Sequence, residues 1–218
     1  MDHDYRSHLW DEVADIGLLL ADLDREEWDA PSLCDGWRVR DVVGHIEYGH
    51  TRRMGGFLVD LARYRFDVPR GSSELSIAWG TDHEPDELLA IWQRELVGGH
   101  ARRGVSTFVK WPDGLVDHLI HHQDMRRALD RPREIPSARL VAALDALATI
   151  HSPIFDTRDK VRPYCLVATD VEWTSGTGQR VEGPAEALLL AAGGRPAAYD
   201  ELSGEGVAAF TGQVATPR

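Results

Sequence analysis

The chain has 218 residues, 43% of them hydrophobic, enough to bury one substantial core with at most a small second module. Its formal net charge is -12, from 36 acidic and 24 basic residues. That charge disfavours nucleic acid as a partner, because binding to phosphates depends on lysine and arginine. The two cysteines, Cys34 and Cys165, are too far apart to suggest a disulfide framework or a thiolate zinc site.

The first residues of the chain are charged where a signal peptide would be apolar. No apolar run approaches the roughly 20 residues that a membrane-spanning helix needs. With only two cysteines, the composition also favours a reducing compartment. We therefore expect a soluble, cytoplasmic protein, monomeric or homodimeric, with no membrane partner.

Apolar residues at helical spacing predict five helices in the first 150 residues. The predicted helices cover about residues 8–28, 38–65, 86–97, 112–129 and 138–150. The segment 67–85 contains Pro, Gly and Ser without a sustained period. It is therefore predicted to be a long loop.

The pattern changes after Pro153. Residues 164–169 and 171–174 are typical of strands, residues 175–178 of a turn, and the apolar run 185–192 of a helix. We predict a boundary between residues 152 and 162, which separates a helical domain over 1–155 from a small α/β domain over 160–218. The predicted fold class is α+β.

Three candidate metal ligands lie on two of the predicted helices. Asp117 and His121 are four residues apart, so a helix directs both side chains to one face. His45 lies on the apolar face of the second predicted helix, where an imidazole needs a polar partner. Nitrogen and oxygen ligands without thiolate suit Zn²⁺ or another divalent ion, and three of them leave a coordination position open. The alternative is that these residues are hydrogen-bonded core residues, since the D-x-x-x-H spacing is common in helices.

Four further residues lie near these candidates in the sequence. Asp124 continues the same helical face and would either complete the site or, as we favour, orient a ligand imidazole by accepting its second N–H. His118 and His122 flank this face and are expected to be solvated or to support the ligands. Cys34 lies in a turn just before the second predicted helix, and cysteines at helix N-termini include reactive thiols. A reactive thiol and an ordinary turn residue both remain open there.

Other catalytic patterns do not occur in the sequence. No G-x-S-x-G motif is present, which disfavours a serine hydrolase of that type. The G-T-G run at 176–178 does not lead into a predicted helix, so it does not form a phosphate-binding loop.

Three blocks resemble one known family. WRVRDVVGH at 37–45 resembles the motif of the mycothiol-dependent maleylpyruvate isomerase family, within the DinB-like metal-binding superfamily. DHLIHHQD at 117–124 resembles the second motif of that family, although the acidic position, Asp117, is more often Glu there. VEGPAEALLLAAGGR at 181–195 looks like part of the smaller C-terminal α/β module of the family. The blocks occur in the family's order and span nearly the whole chain.

The resemblance implies an N-terminal DinB-like four-helix-type bundle with a small C-terminal α/β module. It implies a divalent metal, Zn²⁺ in the first place, bound by His45, Asp117 and His121, and mycothiol as the cosubstrate. Arg195 resembles a family arginine near the active site and is our candidate for binding a substrate carboxylate. The alternative is an exposed arginine that neutralises a helix end.

The function implied is that of an enzyme, a transferase or isomerase in which a metal-activated thiolate attacks a small electrophilic substrate. One alternative is a metal-dependent hydrolase that uses metal-bound hydroxide. Another is a non-catalytic protein that binds metal or thiol, for which the shorter acidic residue is the only indication. The electrophile itself is not indicated by the sequence.

Overall fold

The structure, a computed structural model, describes residues 3–149 and 157–214. Within these ranges the protein is mostly helical and contains one small sheet. The predicted fold class is confirmed, because the helices fill the N-terminal part and the sheet lies in the C-terminal part. Part of the predicted boundary region, residues 152–156, lies outside the described residues, and the division into 1–155 and 160–218 stays a prediction.

Eight helices and two short helical turns precede residue 150 among the described residues. The helices are α1 (Tyr5–Asp22), α2 (Arg25–Asp29), α3 (Val39–Thr51), α4 (Met54–Arg63), α5 (Val68–Asp82), α6 (Pro85–Ile91), α7 (Trp111–Ala128) and α8 (Ser137–Leu147). Helix α6 continues into a π-helical turn (Trp92–Val97), and a 3-10 turn (Val105–Thr107) precedes α7. None of the described helices is long and apolar enough to cross a membrane.

Two of the predicted helices are each split in the structure. The first ends at Asp22, and Asp24 then caps α2 by accepting the backbone N–H of Glu27 at 2.9 Å. The second is interrupted at Arg52 and Arg53, so α3 and α4 take the place of one helix over 38–65. The predicted helices after Pro85, over 112–129 and over 138–150 are present with small shifts at their ends, and Ile150 lies outside the described residues.

The prediction of a long loop over 67–85 is wrong, because α5 occupies most of this segment. Pro69 is accommodated in the first turn of the helix, and Asp67 caps it by accepting the backbone N–H of Arg70 at 3.1 Å. The small residues allow close packing rather than a turn. A Cβ atom on Gly80 would lie 2.8 Å from the carbonyl oxygen of Arg40 on α3. Helices α3 and α5 therefore cross in close contact.

The C-terminal part combines a three-stranded sheet with short helices. Its elements are α9 (Arg158–Val161), β1 (Tyr164–Ala168), β2 (Thr174–Ser175), β3 (Gln179–Gly183), α10 (Ala185–Ala192), a 3-10 helix (Pro196–Glu201) and α11 (Val207–Val214). The strand order is β2-β1-β3, with β1 antiparallel to β2 and parallel to β3. The strand predicted over 171–174 is reduced to β2, and β3 was not predicted.

Two apolar clusters form the core, and α7 contributes to both. One cluster packs α1, α3 and α6 together with Met125 of α7. The other joins α7 and α8 to β1, β3 and α10, with Leu119 and Leu189 fully buried. Helix α7 is therefore held on two sides. Its polar residues are fixed between the bundle and the C-terminal part.

Candidate metal centre between two helices

The structure brings the three predicted metal ligands together. One ligand atom from each of His45, Asp117 and His121 lies within 4.8 Å of the other two. Helix α3 provides His45, and α7 provides the other two from one face, as the i, i+4 spacing predicts. The Nε2 atom of His121 is 3.6 Å from Oδ1 of Asp117. Because 36% of the Asp117 side chain is exposed, this group of three residues is open to solvent on one side.

Hydrogen bonds orient both imidazoles of this group. Nδ1 of His121 lies 3.0 Å from Oδ2 of Asp124, and Nδ1 of His45 lies 3.2 Å from Oγ of Ser76. An N–H donated at Nδ1 leaves the lone pair on Nε2, which is the usual arrangement of metal-binding histidines. Asp124 therefore has the position expected for a residue that orients His121.

Asp124 is fully buried and is the common acceptor for several groups around the site. Arg195 donates Nε to Oδ1 at 3.0 Å and Nη2 to Oδ2 at 2.7 Å, which is a bidentate ion pair. Cys34 donates its thiol to Oδ2 at 3.0 Å. The carboxylate thus connects α7 to the loop before α3 and to the segment after α10.

Arg195 reaches the candidate site from the C-terminal part. It is not an exposed helix-end arginine, since 20% of its side chain is accessible and Nη1 donates to the carbonyl of Gly193 at 2.7 Å. Its bidentate partner in the structure is Asp124. A substrate carboxylate would have to use the remaining N–H groups of the guanidinium.

Cys34, Ser76 and Trp37 are close to the site, but sequence reasoning did not assign them to it. Sγ of Cys34 lies 3.7 Å from Nδ1 of His121, and Cys34, His121 and Asp124 form a second group with ligand atoms within 4.8 Å. The Trp37 ring is stacked against His121, with centroids 6.2 Å apart. Trp37 lies within the first family-like block and Cys34 lies just before it. That position in the sequence could have indicated that both residues are near the site. Ser76 gave none, because its segment was predicted to be a loop.

In the metal-free protein, burial and the charges of neighbouring residues determine which groups of the site are protonated. Burial lowers the pKa of His121, but the Asp117 carboxylate and its other partners outweigh burial and raise that pKa to about 10. Burial raises the pKa of Asp117, but the charge of His121 and the contacts with His118 and His45 together outweigh burial, so the pKa lies below its usual range. Burial and the charge of His121 lower the pKa of His45 to about 4. One imidazolium therefore lies among carboxylates beside one neutral imidazole.

His118 and His122 are buried rather than solvated, so that part of the prediction is wrong. His118 donates Nδ1 to the carbonyl of Gly114 at 2.8 Å. Nδ1 of His122 lies 2.6 Å from Oε1 of Glu12 on α1, away from the three candidate ligands. Neither belongs to a candidate metal-binding group among the described residues.

The donor set fits a divalent metal ion. Two imidazoles and one carboxylate are ligands that Zn²⁺ and similar ions accept, and a dication would replace the positive charge that His121 carries. Fold and site together define a helical-bundle protein with a candidate divalent-metal centre between two helices and a small C-terminal module.

Comparison with known proteins finds a matching family domain and a matching fold. Residues 9–103 match the mycothiol maleylpyruvate isomerase N-terminal domain, which confirms the resemblance found in the sequence. Two crystal structures share the fold. One is of the mycothiol-dependent maleylpyruvate isomerase, with a TM-score of 0.54, and the other is of a histidine-to-alanine mutant of it, with a TM-score of 0.58. Each is 16% identical, over 94% of this chain and 96% of the solved chain. No curated protein matches the sequence.

Proposed function

We propose that this protein is an enzyme that uses mycothiol and a divalent metal ion, Zn²⁺ in the first place, to act on a small electrophile. The observation that carries the proposal is the convergence of His45, Asp117 and His121 from two helices to one point that is open to solvent. The match of residues 9–103 to the mycothiol maleylpyruvate isomerase N-terminal domain supports mycothiol as the thiol. The product would be an S-conjugate or a cis–trans isomer of the substrate.

A bound divalent metal would lower the pKa of a thiol, so that thiolate, the attacking species, is present at neutral pH. The protein's own residues would provide the surroundings. Asp124 holds His121 through Nδ1, and Ser76 contacts Nδ1 of His45, so both rings present Nε2 to the centre. The stacked Trp37 ring covers His121 on one side and limits the direction from which thiol and substrate can approach.

Arg195 would bind a carboxylate of the substrate. Its guanidinium is held by Asp124 in a fixed orientation, and it lies beside the site with part of its surface accessible. Such pre-organisation lowers the entropy lost when a planar anion binds. Maleylpyruvate, which names the related structures, carries such a carboxylate and is the first substrate to test.

The test compares turnover of the zinc-loaded protein with and without mycothiol, using maleylpyruvate for isomerisation and a model electrophile such as a bimane for conjugation. We expect turnover only when the thiol is present. Turnover that is undiminished without thiol would contradict the proposal and favour metal-dependent hydrolysis. Zinc binding without turnover of either substrate would favour the non-catalytic alternative.

A further inference from the structure

Helix α5, the segment predicted to be a loop, packs directly against the part of α3 that carries His45. A Cβ atom on Gly44 would lie 2.7 Å from the carbonyl oxygen of Ser76, and one on Gly80 would lie 2.8 Å from that of Arg40. Such distances leave no room for the helices to approach or slide without a clash. The distance between α5 and His45 is therefore set by backbone contact.

Ser76 lies at this crossing and is bonded on both sides. Its Oγ donates to the carbonyl of Ser72 at 2.7 Å, and the same Oγ lies 3.2 Å from Nδ1 of His45. A serine hydroxyl has one proton. With that proton directed to Ser72, Oγ is free to accept from His45, an arrangement in which Nδ1 carries the imidazole hydrogen and Nε2 the lone pair.

Because Ser76 is buried, its contact with His45 favours one tautomer of the imidazole over the other. Ser76 is 2% exposed, so a water molecule from bulk solvent does not readily replace its hydroxyl. An imidazole with its lone pair at Nε2 can bind a cation there, whereas the other tautomer has a hydrogen at that position. Asp124 has the same relation to His121. Each histidine of the candidate centre thus has its own acceptor for Nδ1.

We propose that Ser76 is a positioning residue that sets the tautomer and the ring orientation of His45. If the proposed metal centre is correct, it follows that the Ser76 hydroxyl raises the affinity of the site for metal. This part of the inference rests on the proposed function. Removing such a hydrogen-bond partner of a ligand histidine commonly costs about 10- to 100-fold in metal affinity. The helix around it does not depend on the hydroxyl, since alanine has the higher helix propensity.

The first measurement is made on the metal-free protein. Long-range ¹H–¹⁵N spectra of ¹⁵N-histidine-labelled protein at about pH 7 report which ring nitrogen of His45 carries hydrogen. We expect Nδ1–H in the wild type and a mixture of tautomers in Ser76→Ala. Nε2–H as the main form of His45 in the wild type would overturn the proposal without any variant.

The second measurement is the Zn²⁺ dissociation constant from competition with a chelator. Ser76→Ala should weaken binding by about 10- to 100-fold. Ser72→Ala is the matched control, because it makes the same change one turn away and keeps the carbonyl that Ser76 uses, and its affinity should equal that of the wild type. Equal affinities of Ser76→Ala and the wild type would overturn the role in metal binding.

The two measurements separate this inference from the function on which it rests. A wild type that binds no Zn²⁺ would contradict the proposed metal centre and, with it, the claim about affinity. The tautomer of His45 in the same metal-free sample would still decide whether Ser76 positions the ring. Circular dichroism of both serine variants shows that the helices are retained.

Discussion

Helix α7 carries two adjacent histidines that have very different surroundings. His121 faces α3 and belongs to the candidate metal centre, whereas His122 faces α1 and belongs to a buried ion network. In that network Glu12, on α1, is bonded by His122, by Arg133 and, at 2.6 Å, by Nη1 of Arg139. Both clusters contain carboxylates and imidazoles, but Glu12 and His122 are fully buried, whereas 36% of the Asp117 side chain is exposed.

The difference between the clusters is where the positive charge comes from. Glu12 is neutralised by arginines of the chain itself. Burial raises its pKa, but His122 and Arg133 outweigh burial and lower that pKa to about 2. The candidate centre instead points two imidazoles and the Asp117 carboxylate at one another, and its positive charge is the proton on His121. In the Glu12 network the arginines supply permanent positive charge, so the network stabilises the fold. In the candidate centre the positive charge is a proton that a metal ion can replace, so this centre is suited to binding a cation.

The largest effect is expected for His121→Ala, which should abolish stoichiometric zinc binding because it removes one of the three ligands. The helices should stay intact, because alanine favours a helix. His45→Ala should do the same. Metal content after dialysis against Zn²⁺, together with circular dichroism, measures this. Full metal retention in either variant would mean that the ligands are wrongly assigned.

Glu12→Gln should destabilise the fold by about 3 to 5 kcal/mol, because it leaves buried arginines without their counter-charge. Zinc affinity should be unchanged. Chemical denaturation measures the free energy of unfolding. Asp15→Asn is the control, since Asp15 pairs with the same arginines but its side chain is 38% exposed, and it should cost less than about 1 kcal/mol. Equal losses for the two variants would contradict the distinction between the clusters.

Zinc affinity should rise with pH by about tenfold per unit between about pH 6 and 8. The pKa of His121 is raised to about 10, so the metal-free protein holds a proton there that binding must release. His45, with a pKa of about 4, is already neutral in this range and adds nothing to the slope. Chelator competition at several pH values gives the slope, and calorimetry in two buffers counts the proton. A flat profile would show that His121 is neutral before metal binds.

The smallest effect is expected for Cys34→Ser. Cys34 shares His121 and Asp124 with a second candidate ligand group, but the proposed centre does not use its sulfur. Zinc affinity should therefore stay within the error of the competition assay. A marked loss would show that the metal lies on the Cys34 side of His121 and not on the Asp117 side.

The relation between Asp117 and His121 could be predicted because helix geometry alone determines it. Asp117 and His121 share a face wherever α7 lies, and His45 stands out as a polar group on an apolar face. The family resemblance then related α7 to α3. One methylene fewer in Asp117 than in the usual Glu does not keep its carboxylate from His121, since the two are 3.6 Å apart.

What could not be predicted depends on contacts between distant segments. Gly71 and Gly80 are used in α5 for close packing, and small residues of this kind are indistinguishable from turn residues in a sequence. The strand β3, with the sequence QRVEG, has little apolar alternation and exists because it pairs with β1. The bond of Arg195 to Asp124 requires the C-terminal part to dock on α7, which no local pattern encodes.

The Arg195–Asp124 ion pair can form only after both residues have been synthesised, and they are far apart in the sequence. His45 leaves the ribosome first, His121 and Asp124 follow, and Arg195, whose guanidinium pairs with Asp124, emerges after them. A nascent chain that ends before Arg195 holds Asp124 without its cation, which is unfavourable for a buried carboxylate. The buried carboxylate therefore gains its cation only after all three candidate ligands have been synthesised.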